Sequence, residues 1–338
     1  MKTAVVIPVK NEREGMERLI LSLISQVSEN DEIIFVDAGS TDGTREIIEE
    51  YTGKNRQIKL YQAKDAFPGK GRNIAIRNTD ADIIAQIDGG NLPAENWLKE
   101  ILEPIKNGTA DYVTGNIHFM PIKKHILGKE YNLGNVYGVS LYRELRGAEN
   151  QPPAGGASVA YKRYIWEKAG GFPDWLRFGS DPLFVKKVMQ QDIRTVFAEN
   201  AIVYWQIGPS FMQIMKRFSL DHMAGIRTWK DIWKSVHRVL IDLILVISIL
   251  FSLIIQTTWY LPLSIFVLLL IKRVIRSMSI YTDRVHEKTG HNITVFFLYM
   301  AIESMGIFSR IAGTIRGLLA ARKNRVDWEI KVKKYLAS

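Results

Sequence analysis

The sequence contains no cysteine. Disulfides, thiolate nucleophiles and cysteine-ligated zinc are therefore excluded, an absence that fits a cytosolic setting. The opening, "MKTAVVIPVKNE", has an apolar run broken by Pro8 and followed by charge, too short for a signal peptide. No internal repeat or low-complexity tract is apparent. Acid is scarce in one region only. Residues 216–338 carry 19 Lys/Arg against 8 Asp/Glu, whereas residues 1–215 carry 26 against 27. The positive excess behind the net charge of +10 thus sits in the last third.

With 338 residues, 47% of them hydrophobic, the chain can build one large domain or two ordinary ones around a sizeable core. A basic region alone would suit nucleic acid. This one also holds the longest apolar runs, Val239–Ile255 and Trp259–Ile271, so a membrane with an anionic cytoplasmic surface is the better match and nucleic acid is not expected. Lys234 and Arg238 precede the runs, Lys272, Arg273 and Arg276 follow them, and the link "QTTWYLP" is uncharged and aromatic. A transmembrane helical hairpin over 239–275 would keep both basic flanks in the cytoplasm and set Trp259-Tyr260 at the far interface. The first run has 17 residues with Asp242 near its start, the short limit for a span, so two buried helices of a soluble domain are the competing reading. Residues 216–238 read as an amphipathic basic junction and 276–338 as a basic membrane-associated helical region. Gly306, Gly313 and Gly317 recur there at helical spacing near Glu303 and Arg310. Such a stripe suits close helix packing or a membrane-surface helix, and leaves room for an oligomer through the C-terminal helices.

Residues 1–215 alternate strand-like and helix-like segments. "TAVVIPV", "DEIIFVD", "IKLYQA" and "DIIAQID" read as strands, and "EREGMERLILSLISQ" and "TREIIEEY" as helices, the latter started by Thr41 or Asp42. "GKGRNIAIRN" reads as a glycine loop running into a helix. "RYIWEKAGGF" reads as a helix closed by Gly170, and "DPLFVKKVMQQ" as one capped at Ser180-Asp181. "RTVFAENAIVYWQ" reads as strand, turn, strand. This alternation predicts an α/β domain with a mostly parallel twisted sheet and helices on both faces.

The strand ends carry the chemistry. "VVIPVKNE" ends in Lys10, Asn11 and Glu12; "VDAGSTDGT" offers Asp37, Gly39, Ser40 and Asp42; "GKGRN" offers Lys70 and Arg72; "DIIAQIDGG" delivers Asp88. Each alone suits an ordinary cap or loop. As an ordered set, Pro-x-x-Asn-Glu, Val-Asp-x-Gly-Ser-x-Asp-Gly-Thr, Gly-x-x-Arg-Asn and a strand ending in Asp resemble the family 2 nucleotide-sugar glycosyltransferases, whose fold is GT-A. "PAGGASVAYKRYIWEKAGGF" is similar to that family's acceptor-side segment, and "GSDPLFVKKVMQQ" to its Glu-Asp helix. The resemblance covers residues 1–215.

The resemblance implies roles. Pro8, Asn11, Glu12 and Gly39 would shape the donor pocket, and Asp37 would bind nucleobase or ribose. Arg72 would meet the diphosphate with its planar fork. Asp88 would hold Mg or Mn on that diphosphate, with Asn91 and His222 as further ligand candidates. Asp181 would be the general base. It implies inverting transfer of a hexosyl group from a UDP- or GDP-sugar. Membrane attachment of a catalytic domain in the cytoplasm points to a lipid or lipid-linked acceptor. Three departures stand out. Gly90 replaces the second acid of Asp-x-Asp, Ser180 stands where the family has Glu, and "QIMKRF" is only a near miss of Gln-x-x-Arg-Trp, so polymer synthesis is not expected. The first departure leaves open a catalytically inactive sugar-nucleotide-binding or scaffold protein. A nucleotidyltransferase ranks lower because "GKGRN" lacks a dense basic loop.

Overall fold

Strands without polar alternation must be covered on both faces, and the first strands meet that demand. The computed structural model describes residues 1–120, 122–126, 129–132, 156–177, 179–206, 311–319 and 330–338, with scattered positions between 212 and 327. Met1–Met120, Leu145–Gln206 and Lys333–Ser338 make one unit, and Pro121–Glu144 with Ile207–Val332 a second.

The first unit is built on an eight-stranded sheet of order β3-β2-β1-β4-β9-β6-β10-β5. Its strands are β1 (Thr3–Val9), β2 (Glu32–Asp37), β3 (Ile58–Gln62), β4 (Ile83–Gln86), β5 (Asn91–Pro93), β6 (Tyr112–Phe119), β9 (Val159–Lys162) and β10 (Thr195–Trp205). β1 to β4 run parallel. β9 is antiparallel to both neighbours, β10 parallel to β6, and β5 antiparallel to β10, so the sheet is more mixed than expected. The cause is the return of the chain between β4 and β6 through β9. The helices are α1 (Arg13–Ile24), α2 (Thr44–Lys54), α3 (Pro68–Arg77), α4 (Trp97–Lys106), α5 (Arg163–Lys168) and α6 (Ser180–Val188). Val5, Ile7, Ile33, Phe35 and Ile83 join one core with residues of α1, α2 and α4. Ala4, Val6, Ile34, Val36 and Ile84 join the other with α3, α5 and α6. Helices therefore cover both faces.

Three local readings need correction. The glycine loop is the first turn of α3: Pro68 at the helix start has its φ already set, and Gly69 and Gly71 are contact points. A Cβ at Gly71 would lie 3.2 Å from Pro8 Cβ, and one at Gly69 3.0 Å from Ser180 Cβ. "TVFAENAIVYW" is one strand with a register shift between Ala198 and Ile202, because an irregularity absorbs Glu199, Asn200 and Ala201 without ending the pairing. α2 begins after Gly43, held at φ 99°, and Asp42 lies one residue further out. There its carboxylate accepts from Thr44 N (3.0 Å) and Arg13 N (3.1 Å), serving the starts of two helices.

In the second unit, β7 (Lys123–Ile126) and β8 (Lys129–Asn132) pair antiparallel. Within the helical residues 311–319, Gly313, Thr314 and Gly317 are buried while Ile315, Leu318 and Leu319 are exposed. A Cβ at Gly313 would fall 2.8 Å from the Ser219 carbonyl carbon, so the small residue permits backbone contact. Among the described residues no helix is long and apolar enough to cross a membrane. The hairpin of 239–275 lies outside them except for helical positions Leu240, Ile244, Ile247 and Ser264. His222, Glu303, Gly306 and Arg310 also lie outside.

Candidate active site

Parallel strands present functional side chains beyond their carboxyl ends, and β1, β2 and β4 do so here. Pro8 occupies a central strand because the β1–β4 ladder stops at Val6–Gln86, beyond which no N–H is required of it. Asn11 follows at φ 56°, a left-handed turn that asparagine tolerates. Its Oδ1 accepts from Thr41 N (2.9 Å) and its N–H donates to Ser40 Oγ (2.9 Å), tying the end of β1 to that of β2. Asp37 is 2% exposed and accepts from Gly39 N, Ser40 N and Ser40 Oγ. Its carboxylate thus organises the Gly39 turn, and a base or ribose hydroxyl would be an additional donor. Gly39 is needed there for its φ of 87°.

Asp88 stands two residues past β4, its side chain 43% exposed. Arg72, on α3 and 1% exposed, donates from Nη2 to Asp88 (2.6 Å) and from Nη1 to Asp181 (2.5 Å). The guanidinium also lies over the Phe172 ring at 5.6 Å. Each terminal nitrogen spends one hydrogen on a carboxylate, and the buried Nε–H has no partner among the described residues, so the guanidinium keeps donors to spare. Asp181 sits in the first turn of α6 and makes no cap hydrogen bond; Gly179, at φ 83°, is the cap residue. The expected cap role is therefore corrected. Removal from water raises the Asp181 pKa above the carboxylate norm; Arg72 opposes and Asp88 reinforces this. Gly156 N–H donates to Asp181.

Glu12 follows β1 on the same rim. Burial first, then the charges of Asp88 and Asp42, push its pKa up to about 7. Asn91 is 3% exposed, and neither atom of its side-chain amide has a partner among the described residues. No group of three or more His, Asp or Glu suited to a metal occurs among those residues.

Sequence reasoning gave no role to three residues that hold this cluster. Asn73 is buried beside Arg72; Nδ2 donates to Phe172 O (2.9 Å), and Oδ1 accepts from Phe172 N (2.8 Å) and Trp166 Nε1 (2.9 Å). Its place in Gly-x-x-Arg-Asn was the available signal. Gly156 leaves space for Arg72 and Asp181, as one glycine of "PAGGAS". Tyr335 donates to Gly171 O (2.7 Å), and Lys187 of α6 donates to Ser338 Oγ (2.8 Å) and lies over the Tyr335 ring. Nothing local in the sequence announces that contact.

Residues 4–167 match the model of Glycosyl transferase family 2. Glycosyltransferase AglE of Haloferax volcanii is 24% identical over 230 residues, covering 67% of this chain and 73% of its own. Glycosyltransferase GlyA of Streptococcus pneumoniae is 24% identical over 216 residues, 61% of this chain but only 30% of its own length. Among solved structures, mannosyltransferase PcManGT from Pyrobaculum calidifontis, in complex with GDP-Man and Mn2+, has a TM-score of 0.56 at 16% identity, covering 94% of this chain and 86% of that one. These findings support a family 2 glycosyltransferase domain with a GT-A-like fold.

Proposed function

We propose that the protein is a membrane-attached inverting glycosyltransferase that moves a hexosyl group from a UDP- or GDP-sugar to a lipid-linked acceptor at the cytoplasmic face. The observation that carries this reading is the bridge Asp88–Arg72–Asp181, which couples the end of a donor-side strand to the first turn of an acceptor-side helix. Asp181 takes the proton of the acceptor hydroxyl as that oxygen attacks the anomeric carbon. The bond to the nucleoside diphosphate breaks on the opposite side, so configuration inverts. A pKa raised by burial makes Asp181 a stronger base than an exposed aspartate. Pro8, Asn11 and Gly39 shape the donor pocket.

A divalent cation fits the residues present. Asp88 is hydrogen-bonded through Oδ1, with its side chain part-exposed, and Asn91 in the same turn has an orphaned buried amide. Bound there, Mg or Mn would neutralise the departing diphosphate. Membrane attachment is supported by the helix over 311–319, small inside and exposing Ile315, Leu318 and Leu319 together with Arg316, within the basic last third.

The test is a panel of UDP- and GDP-sugars offered to the full chain in membranes, with release of nucleoside diphosphate and labelling of lipid extract measured. Labelled lipid from one donor supports the reading. Donor binding without release would indicate a sugar-nucleotide-binding protein instead.

A further inference from the structure

Gly90 stands where the resemblance calls for a second acid, yet its space is already taken by one. A Cβ built on Gly90 would lie 3.0 Å from Glu12 Oε2 and 3.4 Å from Oε1 and Cδ. One on Gly89 would meet Glu12 Cγ at 3.4 Å. The start of α1 therefore projects a carboxylate into the volume that a side chain at position 90 would fill.

That carboxylate has no hydrogen-bond or ion-pair partner among the described residues, in contrast to Asp37, Asp42, Asp88 and Asp181. The charges do not balance either. Asp88 and Asp181 share the one guanidinium of Arg72, while Glu12 adds a carboxylate beside Gly90 with no ion pair among the described residues, and buried charge without a counter-charge is costly. Asn91, whose N–H donates to Asp88 O (3.0 Å), adds a buried amide with both atoms unpaired. Two carboxylates and a neutral oxygen, with phosphate and water completing the shell, make an ordinary oxygen site for a hard divalent ion.

We propose that Glu12, at the start of α1, supplies the second carboxylate missing at position 90 and holds a divalent cation together with Asp88. This rests on the glycosyltransferase reading for the phosphates that complete the shell. It also accounts for Gly90, where a side chain would press on the Glu12 carboxylate; Gly89 is required instead by Val9, whose Cγ1 would lie 2.7 Å from a Cβ there.

The experiment is Mn2+ binding to the full chain, followed by electron paramagnetic resonance with UDP or GDP present. Nucleotide binding in EDTA is measured alongside. Glu12→Gln, nearly isosteric, should weaken Mn2+ at least tenfold. The exchange Glu12→Ala with Gly90→Asp should recover Mn2+ affinity relative to Glu12→Ala alone. Wild-type Mn2+ affinity in Glu12→Gln, or no recovery in the exchange, overturns the proposal and leaves the functional reading intact. Failure of the wild-type chain to bind either nucleotide overturns both.

Discussion

Gly156 lies against Arg72 so closely that a Cβ there would overlap Nη2 and sit 2.7 Å from Cζ, with Asp181 Oδ2 only 3.0 Å away. The guanidinium cannot yield, because it is buried and fixed to two carboxylates. Gly156→Ala should therefore push the guanidinium off its bridge, displacing Nη2 from Asp88 and crowding Asp181. We expect sugar transfer to fall more than tenfold, with a cooperative thermal transition retained. Normal turnover in this variant would show that the bridge is dispensable.

Gly179, not Asp181, is the cap residue of α6, so substitution at 181 leaves the cap in place. Asp181→Asn leaves an oxygen for Arg72 and removes the base. Transfer should drop by roughly two to four powers of ten, the range for loss of a general base. Donor binding without acceptor should be unchanged. Near-normal turnover would leave Asp181 as a structural partner of Arg72.

The sheet and strand-end acids were legible because periodicity and turn chemistry are local. Val5, Ile7, Ile33 and Phe35 announce buried strands without any knowledge of their neighbours. The first turn of α3 was not legible: its glycines read as a flexible loop, whereas the tight approaches of Pro8 and Ser180 that use them come from distant segments. The same holds for Glu12. Its nearness to Gly90 spans 78 positions of chain, and only the β1–β4 pairing brings the two together. The irregularity in β10 escaped notice because Glu-Asn looks like a turn, while the flanking pairing to β6 persists on both sides.

Asn73 should be a stability residue with a functional consequence. All three of its hydrogen bonds are buried, and two anchor Phe172, whose ring lies under Arg72. Asn73→Ala leaves Trp166 Nε1 and both Phe172 backbone groups to find other partners. Unsatisfied buried groups cost about 1–3 kcal/mol each, so a loss on the order of 2–4 kcal/mol is expected in denaturant unfolding. A change below about 0.5 kcal/mol would mean that the loop relaxes freely.

Asp111 gives a pH prediction. It accepts from Arg194 Nε (2.9 Å) and Lys162 Nζ (2.8 Å), joining the starts of β6 and β10 to the end of the antiparallel β9. Arg194 first, with Lys162 also contributing against the effect of burial, holds its carboxyl far below the usual aspartate range. A depressed folded pKa means that the unfolded chain binds the proton more readily. The contribution is therefore complete above the ordinary aspartate pKa of about 3.9 and is lost as pH falls below it. Asp111→Asn should lower stability at pH 7 and flatten the acid limb of the stability profile. An unchanged acid limb would assign the pKa shift no weight in folding.

The membrane reading can be tested on residues that the structure describes. Ile315, Leu318 and Leu319 are exposed on a helix whose other face, Gly313, Thr314 and Gly317, is buried. In water such an arrangement wastes apolar surface; against lipid it is the expected one. Cutting the chain before this region is a poor test, because Tyr335 and Ser338 bond to Gly171 and Lys187 of the first unit and would be lost as well. Substitution is cleaner. The full chain should float with vesicles rich in anionic lipid, since the last third carries 19 Lys/Arg against 8 Asp/Glu. Changing Ile315, Leu318 and Leu319 together to Gln should cut that binding by more than about tenfold, which corresponds to about 1.4 kcal/mol and is modest for three buried apolar side chains. Glu12 and Asp88 are untouched, so Mn2+ binding should persist and report an intact first unit. Flotation equal to wild type would mean that these side chains do not meet lipid, and a full chain that stays in the soluble fraction at moderate salt would end the membrane reading altogether.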